Sequence, residues 1–387
     1  MPSDAFIPLS VPHIAGNEWA YVKECLDTGW VSSVGSFVDR FERAFAERVS
    51  APAAVACASG TAALHVALIL AGVRPGDEVL VPSLTFIAPA NAVAYLHAHP
   101  LFMDAEAEHF QLDVAKLESF LTCECTREQD GLRNRTSGRR VAAVLPVHVV
   151  GHPCDMDAIR ALADRFGLRV VEDATESLGS RYRGRPTGLL GDLGCFSFNG
   201  NKIITTGNGG MIVAKDTALL ERAKYLTTQA KDDPVEFVHG AVGFNYRLAN
   251  ISAAIGVAQL EQLDGHLARK REIRARYDAV LAGVDGIAVP KQAAWAEPNH
   301  WLYTIRIDAK RFGRNSRELL KLLKAAAIET RPLWQPLHRS PAHAGASSYH
   351  CDVADLLHAE CLSLPCSVGL SAADQERVID TILRARA

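Results

Sequence analysis

The sequence predicts an α/β fold: a large domain built on a mostly parallel sheet covered by helices, followed by a smaller α+β C-terminal domain. Three observations carry this. Short runs rich in Val, Leu, Ile and Phe recur between residues 53 and 214 and are too short to be helices. Helical patterns fall between several of them, the alternation of a parallel sheet covered on both faces. Past residue 281 the pattern thins to a few strands and helices, enough for a smaller second unit.

Taken in order, the runs predict strands at 53–58, 78–82, 100–104, 142–147, 169–172, 195–198 and 210–214. Helices are predicted at 61–71, 88–96 and 156–166. The longest apolar stretch, 62–73, contains His65 and ends at a Gly-bearing turn, as a buried helix does. Residues 123–140 form a polar insertion with Gly131, Asn134 and Ser137-Gly138. An insertion that long predicts a surface excursion or an active-site flap. Residues 248–281 carry Leu260, Leu263 and Leu267 on one side and predict one long helix. The boundary is placed within it, giving a large domain 1–265 and a small domain 266–387. In the latter, a strand is predicted near 301–307 and helices near 316–326 and 372–384.

Composition removes several function classes. The 387 residues hold 41 Lys plus Arg against 44 Asp plus Glu, a formal net charge of −3. With no basic stripe to meet a phosphate backbone, no nucleic-acid partner is expected. The hydrophobic fraction is 48% and no apolar run approaches a membrane span, so no membrane partner is expected either. Residues 1–7 lack a basic region followed by an apolar stretch, so a cytoplasmic location is expected. The nine cysteines include no CxxC pair, and Cys123-Glu-Cys125 is too close for a usual zinc half-site. Reduced thiols and no metal are expected.

Three segments point to chemistry. In Cys57-Ala-Ser-Gly-Thr-Ala-Ala, a strand ends and a helix opens, and the amides of a helix start bind phosphate. Ser59 or Thr61 acting only as an N-cap is the alternative. In Val170-Val171-Glu172-Asp173-Ala174, an acid stands at the carboxyl end of an apolar strand, where α/β sheets hold ligands. A helix cap is again the alternative. In Cys195-Phe-Ser-Phe-Asn-Gly-Asn-Lys202-Ile-Ile-Thr-Thr-Gly-Asn-Gly-Gly210, one lysine sits among small and apolar residues without an ionic neighbour within about five positions. A lysine drawn out of water loses proton affinity, and its neutral amine attacks carbonyls. The alternative is a lysine that caps a loop carbonyl. The Gly-rich tail lacks the GxGxxG spacing of a dinucleotide loop. Together a phosphate cradle, a strand-end acid and a poised lysine match the needs of pyridoxal 5'-phosphate (PLP). Lysine binds its aldehyde, the aspartate keeps its ring nitrogen protonated, and the cradle anchors its phosphate. Phe86, just after the strand at 78–82, is placed to cover one ring face or simply to pack in the core.

At this point the chain resembles the DegT/DnrJ/EryC1/StrS sugar aminotransferases, which have the fold-type I PLP architecture. The resemblance spans nearly the whole length. Besides the three segments it includes Gly29-Trp30-Val31-Ser32, Pro82-Ser-Leu-Thr-Phe86, Pro146-Val-His148, Gly243-Phe-Asn-Tyr-Arg247, Pro336-Leu-His338 and Leu364-Pro365. The lysine loop, the run Leu226-Thr-Thr-Gln-Ala-Lys-Asp-Asp-Pro-Val235 and the polar insertion resemble a narrower branch, the LegC-type and bacillosamine-type 4-aminotransferases. That branch aminates C4 of nucleotide-linked (UDP or GDP) 4-keto-6-deoxy-N-acetylhexosamines, with L-glutamate as donor and 2-oxoglutarate as product, in bacterial legionaminic acid and bacillosamine-type sugar biosynthesis.

The resemblance implies a role for each matching position. Lys202 is the cofactor lysine and the proton carrier at the sugar's C4. Asp173 pairs with the ring nitrogen, Gly60, Thr61 and Ser197 hold the phosphate, and Phe86 stacks on the ring. Asn245 reaches the phosphate from a second subunit, which makes a homodimer the minimum functional unit. Glu176 stands where many relatives place Gln, near the phenolic oxygen, where a carboxylate is repelled unless protonated. Trp30, Arg247, Trp334 and His338 are candidates for sugar or nucleotide contacts. Arg247 leads them because a guanidinium suits a carboxylate or a pyrophosphate. His148 is assigned to packing or to a supporting place behind the site, since Gly151 breaks any helix that would pair it with His152. Two other classes stay open: an enzyme acting at another keto-sugar position on the same scaffold, and a non-catalytic PLP-binding protein. A dehydratase is disfavoured, because those relatives replace the lysine with histidine.

Overall fold

In the computed structural model, which describes residues 5–233 and 235–386, all seven predicted runs pair into one large sheet. Residues 1–4 of the N-terminal stretch and Pro234 of the 226–235 run lie outside the described residues. The sheet runs Ala54–Cys57, Gly210–Ala214, Leu193–Ser197, Arg169–Asp173, Arg140–Val144, Glu78–Pro82, His99–Met103. From Leu193–Ser197 to His99–Met103 every neighbour is parallel, and Gly210–Ala214 runs antiparallel to both of its neighbours. The central strands are buried on both faces, which is why the sequence shows unbroken apolar runs there. Helices Gly60–Leu70, Ala88–Tyr95 and Met156–Phe166 fall where the pattern places them, within a residue or two. Several helices begin on a side-chain cap that satisfies a free amide, worth about 1 kcal/mol each. Asp155 accepts from Ala158, Asp216 from Ala218, and Asn315 and Glu318 form a reciprocal box.

Because the strands are parallel, their carboxyl ends collect at one edge of the sheet. Asp173 ends one strand and Ser197 the next, while Ser59 and Phe86 follow closely after two others. The topology alone thus brings together residues more than a hundred positions apart.

One expectation is corrected and another is narrowed. The region 248–281 is two helices, Asn250–Glu261 and Leu263–Leu281, broken at Gln262. The Gln262 amide bonds back to Gln259 O, three residues away, and its side chain takes up the Ala258 carbonyl that the amide abandons. The same side chain donates to Glu18, which ties the break to the N-terminal region. The insertion is a hairpin, Cys125–Glu128 with Gly131–Asn134, that extends the sheet. It pairs through Leu132 and Arg133 with the first residues of Arg140–Val144, the end of that strand remote from Asp173. It is therefore not a flap over that edge within its own subunit. Buried Leu132 and Cys125, and the bond from Asn134 Nδ2 to Glu78 Oε2 (2.8 Å), hold it down.

Strands Ile287–Ala288, Tyr303–Ile307 and Cys361–Leu364 form a separate small antiparallel sheet packed by helices Ser316–Ala325 and Ala372–Arg384. Helix Leu263–Leu281 serves both cores. Its Leu263 and Leu267 pack with the large sheet, and its Ile273, Tyr277 and Leu281 with the small one. No helix among the described residues is long and apolar enough to cross a membrane.

Candidate active site

The turn Ser59-Gly60-Thr61 opens helix Gly60–Leu70. Ser59 Oγ accepts from Ala62 N (3.1 Å), and Ser59 O accepts from Ala63 N. Of the first amides of the helix, these bonds leave those of Gly60 and Thr61 without an acceptor in the helix. Ser59 is thus a cap, as the plainer alternative has it, and the cap still leaves an anion site in front of it. Ser197 stands against this turn. A Cβ at Gly60 would lie 2.8 Å from Ser197 Cβ, and one at Gly210 would lie 2.4 Å from Ser59 O. Only glycines let the strand end, the hydroxyl and the helix start come so close.

Asp173 is 2% exposed and lines the same cavity, a space of about 220 Å³. Its Oδ1 accepts from Thr175 N (3.0 Å), and burial raises the carboxyl above the ordinary aspartate range. Behind it, His148 Nδ1 accepts the Cys154 amide (3.1 Å), so the ring is neutral and its Nε2–H donates to Glu172 Oε1 (2.8 Å). Glu172 also accepts from Leu190 N and Gly191 N, and it does not line the cavity. The pair is structural, which agrees with the packing role assigned to His148.

Lys202 enters the cavity from the loop after Leu193–Ser197. Burial lowers its proton affinity, opposed by the charges of Glu176 and Asp173. Its Nζ lies 3.7 Å from Glu176 Oε1 and 4.0 Å from the centre of the Trp301 ring. Glu176 is buried, with Oε2 accepting from Val150 N (2.8 Å). Desolvation raises its carboxyl to about 7, against an ordinary value near 4.5.

Residues 12–383 match the DegT/DnrJ/EryC1/StrS aminotransferase family. The chain belongs to that family. It is 42% identical over 374 residues to the GDP-perosamine synthase of Caulobacter vibrioides, covering 96% of each chain. To the GDP-perosamine synthase of Escherichia coli O157:H7 it is 39% identical over 351 residues, 91% of each chain. Among solved structures it superposes on the aminotransferase TlmJ of Streptoalloteichus hindustanus with a TM-score of 0.89 and 31% identity, covering 98% of this chain and 99% of that one. This DegT-family chain is a PLP-dependent sugar aminotransferase.

The cavity's own residues fit PLP. It offers free helix-start amides and a hydroxyl for an anion, a buried carboxyl that a cationic ring nitrogen would relieve, and an amine of lowered proton affinity. Asn201 Oδ1, buried beside the cavity, has no partner among the described residues. Glu176 also has a thermodynamic signature. Its folded pKa is raised, so its contribution to stability is full below about pH 4.5 and is lost as pH rises through about 7. Replacing it with glutamine removes that loss. In the cofactor-free chain, the Tm of E176Q relative to wild type is expected to rise by about 3 °C between pH 5 and pH 8. A Tm difference that stays constant across that range contradicts it.

The predicted residues divide into those that line the cavity and those that do not. Gly60, Thr61, Phe86, Asp173, Glu176, Ser197, Lys202 and Trp334 come together around the cavity. Phe86 is 54% exposed and lines the cavity rather than packing in the core. Asn245 is exposed and does not line its own chain's cavity. Arg247 bridges to Cys57 just behind the cradle, and its buried Nε has no partner among the described residues. Trp30 is 57% exposed outside the cavity, its carbonyl bound by Asn250 Nδ2 (2.7 Å). His338 does not line its own chain's cavity: its Nδ1 meets Ser83 Oγ at 2.7 Å, its Nε2 lies 3.4 Å from Asp355, and it pins its segment to a strand end. The cavity also contains Arg331, Trp301 and Asn201, none of them singled out from the sequence.

Proposed function

We propose that the chain transfers the amino group of L-glutamate to C4 of a GDP-linked 4-keto-6-deoxy sugar. The observation that carries this is the 42% identity, over 96% of both chains, to a GDP-perosamine synthase. When bound, PLP supplies an electron sink at the carbon bearing the nitrogen. Lys202 links the cofactor and carries the proton to the sugar's C4. Asp173 holds the proton on the ring nitrogen. Gly60, Thr61 and Ser197 hold the phosphate, and Phe86 covers the ring. Glu176, protonated near neutral pH, donates toward the phenolic oxygen instead of repelling it. Trp334 and Arg247 are the stronger candidates for sugar or nucleotide contact, and Trp30 a weaker one.

The site is read as shared within a homodimer, with Asn245 reaching the phosphate of a second copy. Supporting this, Asn245 is exposed beside a hairpin with exposed Phe237, Val238 and Val242. A group of exposed apolar residues of that kind marks a protein interface.

A second reading has a specific basis. The lysine loop 197–206 resembles that of the enzymes acting on nucleotide-linked N-acetylhexosamines in legionaminic acid and bacillosamine-type pathways. The test is a panel of GDP- and UDP-linked 4-keto-6-deoxy sugars, with and without a 2-acetamido group, each supplied with glutamate. Product configuration is read by NMR. Preference for the GDP sugar by about tenfold or more in kcat/KM is expected. Preference for the sugars that carry the 2-acetamido group assigns the N-acetylhexosamine instead, whichever nucleotide bears it.

A further inference from the structure

Trp301 is 3% exposed, yet it lies in no strand; Tyr303–Ile307 begins two residues later. Its backbone polar atoms are held by side chains. Its amide donates to Asn299 Oδ1 (2.8 Å), and its carbonyl accepts from Lys270 Nζ (2.8 Å). Lys270 is itself buried, and its second partner is another carbonyl, Cys366 O (2.6 Å). A buried ammonium needs hydrogen-bond partners to offset its desolvation, and these two carbonyls supply them while fixing the Trp301 backbone. Asn299 is equally committed. Its Nδ2 donates to the carbonyls of Glu176 (2.8 Å) and Leu178 (2.9 Å), so the Glu176 segment and the indole are held by one amide.

The indole meets the lysine loop twice. Its Nε1–H donates to Asn201 O (2.7 Å), the carbonyl just before Lys202, and its face lies under the Lys202 Nζ at 4.0 Å. Trp334 lies nearly parallel to it, 12° between planes and 6.3 Å between centres. The ammonium therefore sits between a π face and the Glu176 carboxyl. Asp173 and Arg331 are the other charged groups lining the cavity. A protonated amine gains from the indole face, and a neutral amine gains little.

We propose that Trp301 is the positioning residue for Lys202: its face seats the ε-ammonium when the amine is free, and its ring N–H fixes the loop that carries it. The proposal rests on Lys202 being the reactive lysine. It implies a seat that favours the charged form, so Lys202 keeps a proton available for the sugar carbon until it leaves the indole.

The experiment is competitive acetylation of the full-length chain freed of cofactor, using acetic anhydride. Labelling of Lys202 is read by mass spectrometry as a function of pH. In W301L the midpoint is expected to fall by about one pH unit, and in W301F by less, because phenyl presents a weaker π face. W301F keeps the test available should W301L fail to fold. Midpoints equal to or above wild type in both variants overturn the proposal, whatever happens to turnover or Tm. A scaffold role alone lowers Tm and leaves the midpoint in place. The labelling reads the amine without any sugar, so failure of the substrate panel and failure of the seat are separate results.

Discussion

Lys202→Ala is expected to lower kcat by at least about 10⁴-fold, the scale seen when a group that both bonds and moves protons is removed. Among the described residues Lys202 is the cavity's one lysine, and a guanidinium such as that of Arg331 is not a nucleophile. The Gly60–Thr61 amides, Ser197 and Asp173 are untouched by the change, so the variant should still bind cofactor while losing the absorbance band of the lysine-linked imine. Retained binding separates lost chemistry from lost folding. A mixing experiment adds the second subunit. K202A and N245A chains, each inactive alone, should recover about a quarter of wild-type activity when reassembled, because hybrid dimers contain one intact site. Turnover of K202A within tenfold of wild type would falsify the assignment, and absence of recovery would remove Asn245 from the shared site.

The legible residues share a physical reason. Strands buried on both faces leave unbroken apolar runs, and the ends of those runs marked Ser59, Asp173 and the Lys202 loop directly. Illegible features depend on contacts that local pattern does not encode. The break at Gln262 comes from a side chain taking its own helix's carbonyl and from Glu18, some 244 positions away. The 123–140 insertion is polar overall, and of its residues only Cys125, Leu132 and Asn134 are buried. Trp301 looked like the opening of a strand, and its partner Asn201 lies 100 positions earlier. His338 sits in a motif that resembles the family's, and its imidazole is turned to Ser83, with Asp355 3.4 Å from its other nitrogen. A motif fixed the position of that residue without fixing its job.

Asp173→Asn is expected to act in opposite directions on activity and on stability. Asparagine keeps the shape and can still accept from Thr175 N, but it carries no charge to hold a proton on the ring nitrogen. The electron sink weakens, and kcat should fall by about 10²–10³-fold, the usual scale for one well-placed electrostatic partner. Cofactor affinity should fall less, because the phosphate cradle is intact. In the cofactor-free chain the same change should stabilise. The buried Asp173 carboxyl has a raised pKa, so its contribution to stability is full below the ordinary aspartate value and is lost as pH rises through the folded one. The Tm of cofactor-free D173N should therefore exceed wild type near pH 8 by about 2 °C, and the gain should vanish toward pH 4. Saturation with PLP should reverse the order near pH 8, since the ring cation compensates only the carboxylate. A D173N enzyme that is slow but gains nothing without cofactor would mean that Asp173 costs the fold little. The strand end would then be a comfortable place for an acid, and the charge would be poised there by the sheet rather than held against it.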